Sequence, residues 1–198
     1  MTRLRRRSLL GAAALLSLGL AGCGGDETAA ELPPLRYDYL TPIRLNVASV
    51  GVDERWTPSS DDIGASSPVP PDAALRQMAA DRLVPVGSSG RATLVIEDAS
   101  IRSEGDQYLG HFKVRLDIYT DAPAPAAYAE ASVSRTRTEG DSSQRQAVYD
   151  LTRKMMDDIN VEFEYQVRHA LQAWLQGPAA PAAAPGPIEE QTLPPPKS

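Results

Sequence analysis

Few side chains in this sequence have the chemistry of a nucleophile, a base or a metal ligand. There is one cysteine, Cys23, and there are two histidines, His111 and His169. A single thiol excludes an intramolecular disulfide framework and any metal site built on several cysteines. His111 falls on the polar side of an alternating segment and His169 lies far along a helical one; sequence alone shows no Asp/Ser arrangement around either. Gly87-Ser88-Ser89-Gly90 lacks both the Gly-x-Ser-x-Gly spacing of a nucleophile elbow and the Gly-Lys-Ser/Thr ending of a phosphate loop. It is expected to be a flexible helix-to-strand connector. Carboxylates come in neighbouring pairs, Asp53–Glu54, Asp61–Asp62, Glu97–Asp98 and Asp157–Asp158. Glycan cleavage needs two carboxylates across a cleft, which chain spacing does not supply, and solvated faces account for these pairs. The Asp53–Asp62 stretch has oxygen ligands for calcium but no EF-hand spacing. No catalytic residue, metal or cofactor is expected, and the chain is expected not to be an enzyme.

The elements that must position these residues come from hydropathic period. Ile43 to Val52 predicts a strand whose apolar phase slips between Val47 and Ala48, as at a bulge. Residues 53–69, with Trp56, Pro58, Gly64 and Pro68 among Ser and Asp, predict a long irregular loop. Pro70 and Pro71 suit a first helical turn, and Leu75, Met78, Ala79 and Leu83 then recur at helical spacing until Pro85. Arg91 to Arg102, Tyr108 to Thr120 and Ala127 to Thr138 predict three strands joined by short turns. In the second of these, Tyr108, Phe112, Val114, Leu116 and Ile118 alternate with His111, Lys113, Arg115, Asp117 and Tyr119. That pattern implies an antiparallel meander with one face covered and one wet. From a cap at Asp141, Val148, Leu151, Met155, Ile159, Phe163, Val167, Ala170 and Trp174 form a continuous apolar stripe ending before Gly177-Pro178. A helix of that extent would reach roughly 50 Å, longer than the sheet is wide, so it should overhang, bend or meet a partner. Asn160 and Met155–Met156 are the places expected to break its regularity.

The two ends belong to other materials. Arg3, Arg5, Arg6 and Arg7 form a basic head, and an apolar run of about 14 residues follows from Leu9 to Gly22. A membrane-spanning helix needs roughly 20 apolar residues, so residues 1–22 predict a cleaved export signal. The run closes in Leu20-Ala21-Gly22-Cys23, which resembles the lipobox of bacterial lipoproteins. The resemblance implies cleavage between Gly22 and Cys23 and lipidation of the Cys23 thiol. Arg6-Arg7-Ser8-Leu9-Leu10 is similar to a twin-arginine export motif, while an arginine run is equally ordinary for the general secretory route. Gly24 after the cysteine favours the outer membrane over the inner. Loss of the signal leaves 16 Lys+Arg against 26 Asp+Glu, so the net charge moves from −6 to −10. An acidic body argues against nucleic acid and against electrostatic adhesion to anionic headgroups. Membrane attachment would therefore rest on the acyl chains, at least two of which make a firm anchor. Residues 23–41, with Pro33 and Pro34, predict a flexible tether, and residues 177–198, with Pro178, Pro181, Pro185, Pro187, Pro194, Pro195 and Pro196, a disordered tail.

Residues 42–176 remain for one folded domain. The order β-α-β-β-β-α predicts an α+β two-layer sandwich, a mostly antiparallel four-stranded sheet covered on one face by two helices, the last one long. With a lipidated N-terminus, that order resembles small envelope lipoproteins such as the LPS-assembly lipoprotein and the auxiliary lipoprotein of ABC-type lipid transport. The likeness is one of architecture and anchor, with no motif behind it. The first family would profit from a basic face, which a body at −10 does not have.

Two surface features stand out as a partner surface. Lys113, Arg115, Arg135 and Arg137 fall on adjacent predicted strands, where Asp117 and Glu130 are also placed to pair with them. Phe163, Tyr165 and Trp174 give the end of the long helix an aromatic character, which core packing also explains. The resulting expectation is a lipid-anchored periplasmic accessory without catalytic activity, serving envelope assembly or lipid transport through a protein-binding face. The alternative is an anchored hydrolase or small-ligand-binding protein that uses the polar sheet face or the 53–69 loop.

Overall fold

Alternation decides the middle of the chain. The computed structural model describes residues 32–176; the predicted signal, Cys23 and the tail 177–198 lie outside them. Strand β5 (Gln107–Tyr119) buries Tyr108, Phe112, Val114, Leu116 and Ile118 on one face and leaves His111, Lys113, Arg115 and Tyr119 half-buried on the other. It pairs antiparallel with β4 (Arg91–Glu104) and with β6 (Ala127–Thr138). Strand β2 (Ser49–Glu54) joins the far edge of β4 in parallel, giving a mixed four-stranded sheet in the order β2-β4-β5-β6. A parallel pair needs a crossover, and α1 (Pro71–Arg82) supplies it. The α+β sandwich expected from sequence is present, with two helices and a long last one.

The first predicted strand is two strands. β1 (Ile43–Leu45) pairs in parallel with β3 (Leu83–Pro85) in a separate small sheet, and the ladder resumes at β2 after Asn46–Ala48. The break lies where the apolar phase slips, and Gly87 causes it. Its N–H donates to the Val47 carbonyl at 2.9 Å. A Cβ at position 87 would come within 2.6 Å of the Asn46 carbonyl carbon. Gly90 adopts φ of 72°, in the left-handed region that favours glycine. The Gly87–Gly90 stretch is thus a fitted connector instead of a loose one, with Ser88 and Ser89 at its tip.

Helix α2 (Gln144–Ala170) lies over the sheet on the row Ala127, Ala129, Ala131 and Val133, whose small side chains let it approach. Its cap is Ser143, which accepts from the Gln146 N–H, and not Asp141. Its 27 residues span about 40 Å, shorter than predicted. The helix stops because Leu171 turns inward and the chain folds back on β1. The Asn46 N–H donates to the Trp174 carbonyl, the Gln176 N–H donates to the Arg44 carbonyl, and Leu175 bridges Leu45. At about 40 Å the helix is still longer than four strands are wide, and Arg168, His169 and Ala170 at its end are exposed. Asn160 and Met155–Met156 do not interrupt the helix; all three are buried in it.

Residues 32–41 depart from the predicted tether. Tyr37 is 3% exposed and belongs to the core, and the Tyr149 hydroxyl donates to the Pro33 carbonyl. Asp81 is the clasp: it accepts from the Tyr37 N–H at 2.8 Å, from Arg36 and from Gln77. Prolines oppose helix and strand ladders but not an extended segment held by side chains. Burial alone would raise the Asp81 carboxyl, but the hydrogen bonds from Tyr37, Gln77 and Arg36 outweigh it and hold the group below the ordinary carboxylate range. A depressed folded value contributes stability above the unfolded pKa of about 3.9 and loses it as pH falls through the folded one. We expect amide exchange in residues 35–40, taken relative to its intrinsic rate, to accelerate below about pH 4 before that of β5 does. Asp81→Asn should abolish this difference, and equal acceleration of both segments would refute the clasp.

Candidate functional site

The helices cover one face of the sheet and leave the other open, so the residues that could act are those of the opposite phase. Along β4, β5 and β6 these are Asp98, Ser100, Arg102, Leu109, His111, Lys113, Arg115, Ser132, Ser134 and Thr136. Asp98 reaches this face because the β4–β5 register shifts between Ile96 and Asp98. The extra residue, Glu97, bends the strand and re-aims the side chains beyond it.

The register then joins three side chains that are far apart in sequence. Asp98 Oδ2 lies 3.0 Å from His111 Nδ1, and His111 Nε2 lies 3.1 Å from Ser132 Oγ. The carboxylate is itself held by the Ser100 N–H, which donates to Asp98 Oδ1 at 2.9 Å. Burial would raise the Asp98 carboxyl, but hydrogen bonds from His111 and Ser100 outweigh it and keep the group ionised well into acid. A carboxylate only accepts, so Nδ1 carries a proton, and in the neutral imidazole Nε2 then turns its lone pair toward the serine hydroxyl. Beside this chain runs a shallow groove of about 370 Å³, lined by Ser100, Arg102, Leu109, His111, Ser134 and Thr136 among others.

The four basic residues of the predicted partner surface divide between the two faces. Lys113 lies on the open face, 3.1 Å from Glu97 and 3.2 Å from Glu130. These two acids hold its ammonium above its ordinary pKa. Arg115 bridges Glu97 and Asp117, and the bidentate contact accompanies burial of Asp117 to 1% exposure. Arg135 and Arg137 share the inward phase of β6 and reach acids of α2, Asp158 at 2.7 Å and Asp150 at 3.3 Å. Each of the four therefore has an acidic neighbour, and they form no single basic patch. Of the aromatic trio, Phe163 is fully buried, Tyr165 is 53% exposed, and Trp174 is half-buried in the turn after α2.

The remaining candidates have structural partners. In the 53–69 loop, Asp62 is buried and its Oδ1 accepts from the Gly64 and Ile101 N–H groups, fastening the loop to β4 beyond the end of β2. Asp61 accepts from the Ser59 hydroxyl at 2.5 Å and faces Arg102 at 3.7 Å. Among the described residues no group of three or more His, Cys, Asp and Glu side chains is arranged to hold a metal ion. His169 contacts the Tyr165 ring at 4.0 Å between centroids, on the exposed end of α2. Sequence reading missed Arg82, a fully buried guanidinium at the end of α1. It donates to Asn160 Oδ1 at 2.9 Å, to the Thr41 carbonyl at 3.2 Å and to Glu164 at 2.5 Å. Its position at a helix C-terminus looks like ordinary dipole compensation, and only the packing shows its second use.

No protein-family model matches the chain, and no curated protein matches it. Among solved structures it is similar to protein XCC0632 from Xanthomonas campestris, with 8% identity, a TM-score of 0.40, and coverage of 69% of this chain and 91% of that one. A minor lipoprotein from Acinetobacter baumannii gives 12%, 0.28, 59% and 93% in the same order. Uncharacterized lipoprotein B from Nitrosomonas europaea gives 9%, 0.33, 67% and 92%. Two of the three are named lipoproteins; for this chain that reading rests on Leu20-Ala21-Gly22-Cys23.

Proposed function

We propose that this chain is a lipid-anchored protein of the bacterial envelope, facing the periplasm, that serves as an accessory in envelope assembly or lipid transport. The observation that carries the proposal is the ordered N-terminal pattern: four arginines, a short apolar run, and Leu20-Ala21-Gly22-Cys23. On this reading Cys23 carries the acyl chains, and Gly24 favours the outer membrane. The work is positional. The nine residue steps from Cys23 to Leu32 reach at most about 30 Å when extended, so the body is held close to the leaflet while one of its faces stays free for a membrane-protein partner. The open sheet face suits that role, because its charges are paired with one another and its row of Ser100, Ser132, Ser134 and Thr136 offers hydrogen bonds without a net charge to satisfy.

Cys23→Ser is expected to move the protein from the membrane to the soluble periplasmic fraction and to abolish incorporation of labelled fatty acid. Retention of the variant in membranes would show the anchor reading to be wrong. The accessory role is tested with a photo-crosslinking residue at Ser134 on the open face and another at Val161 on the outer side of α2. An envelope membrane protein trapped from Ser134 and not from Val161 supports the reading; no adduct from either position, in cells where the protein is anchored, overturns it.

A further inference from the structure

We propose that Ser132 is a nucleophile, activated by His111 and positioned through Asp98, and that the open face hydrolyses short-chain O-acyl esters carried on a polyhydroxylated molecule such as a glycan. This chemical step is additional to the positional role and does not depend on the anchor. Three observations support it. The hydroxyl, imidazole and carboxylate are joined in the order that activates a serine, at 3.1 and 3.0 Å. The carboxylate that sets the imidazole is fixed by the bulge at Glu97 and by the Ser100 N–H. The groove of about 370 Å³ is lined by His111, which Ser132 contacts, and its wall combines the hydroxyls of Ser100, Ser134 and Thr136 with Leu109 and the charged Arg102, Glu104 and Arg135. A sugar ring lays an apolar face and a polar rim against such a surface, and an acetyl group needs no deep acyl tunnel.

Hydrolysis takes place in two balanced halves. Ser132 Oγ bonds to the ester carbonyl carbon while its proton passes to His111 Nε2. The tetrahedral adduct collapses by breaking the bond between that carbon and the leaving oxygen, which takes the proton from the imidazolium and departs as the alcohol. Water then attacks acyl-Ser132 with His111 as base again; the acyl–Oγ bond breaks, the carboxylic acid leaves and the serine is restored. Lys113 stands directly opposite Ser132 in the β5–β6 register, and its ammonium, already paired with Glu97 and Glu130, has only part of its charge to offer the carbonyl oxygen. Strand N–H groups lie in the plane of the sheet, so none of them is aimed at a carbonyl oxygen above Ser132. Turnover should accordingly be modest.

The test uses the full-length lipidated protein in detergent. A fluorophosphonate probe should label Ser132, the Oγ–P bond replacing P–F as fluoride leaves, and peptide mass spectrometry should place the adduct there. Ser132→Ala should abolish labelling, and His111→Asn should slow it by about 100-fold or more, the usual contribution of a general base. Acetate release from O-acetylated xylo-oligosaccharide should fall in parallel. Asp98→Asn, a change at a positioning residue, should slow labelling while leaving the unfolding transition in place, because its remaining oxygen can still accept from the Ser100 N–H. Absence of an adduct on Ser132, or labelling unaffected by His111→Asn, overturns the proposal and leaves the three residues as a structural hydrogen-bond chain. Cys23→Ser protein, assayed in solution, separates this result from the anchor: the proposal expects it to label as fast as the lipidated form.

Discussion

Gly110→Ala is expected to lower stability by about 1–3 kcal/mol, the usual cost of forcing an extra carbon into a close-packed core. Gly110 lies on the helix-facing side of β5, opposite Arg135, and the sulfur of Met155 rests on it. A Cβ there would overlap that sulfur and would come within 2.9 Å of the Met155 methyl carbon. The missing side chain is thus what lets α2 settle onto the sheet at this point, a use of glycine for close approach instead of for a turn. Urea unfolding of Gly110→Ala, Met155→Ala and the pair provides the check. The two changes should be strongly non-additive, since truncating Met155 opens the space that the new methyl needs. Additive losses would mean that the helix is seated elsewhere.

Arg82→Met is expected to cost about 1–3 kcal/mol, the range for leaving a buried polar group unsatisfied, because Glu164 is 31% exposed and keeps its pairing with Arg168. The substitution keeps the apolar stem and deletes the guanidinium, orphaning Asn160 Oδ1 and the Thr41 carbonyl and taking one donor from Glu164. Three elements lose their common tie at once: the end of α1, the middle of α2 and the segment before β1. Glu164 adds a pH signature. Burial by itself would raise its carboxyl, but hydrogen bonds from Arg168 and Arg82 reverse the effect and hold it below its ordinary range. That contribution is complete above the unfolded value of about 4.3 and disappears as pH falls through the lower folded one. The difference in stability between wild type and Arg82→Met, measured by urea at pH 7 and again near pH 3, should therefore shrink in acid. A difference independent of pH would remove Glu164 from the account.

The legibility of the fold in the chain depends on the range of the interaction. Alternation along β5 and β6 and the apolar stripe of α2 are local periods, and they placed the sheet, its covered face and the long helix. The break in the first strand was legible as a phase slip, although its cause, Gly87 against Asn46 and Val47, lies about 40 residues away. The end of α2 was not legible, because Trp174 continues the stripe but is drawn off by the edge of β1. Pro33 and Pro34 concealed the docking of Tyr37, which depends on Asp81. The Asp98–His111–Ser132 chain was least accessible. Its members sit in three strands and touch diagonally, so it exists only once the register and the shift between Ile96 and Asp98 are both known.

The inward arginines of β6 also bear on how the protein behaves in a crowd. β6 is the last strand of its sheet, and an outer strand with free hydrogen-bonding groups is a template for growth by other chains. Arg135 and Arg137 continue the phase of Ala129, Ala131 and Val133 and end on acids of α2, leaving that edge with fixed charges where an added strand would need apolar side chains. The two residues that looked from sequence like half of a basic patch are placed to oppose growth of the sheet by other copies along this edge.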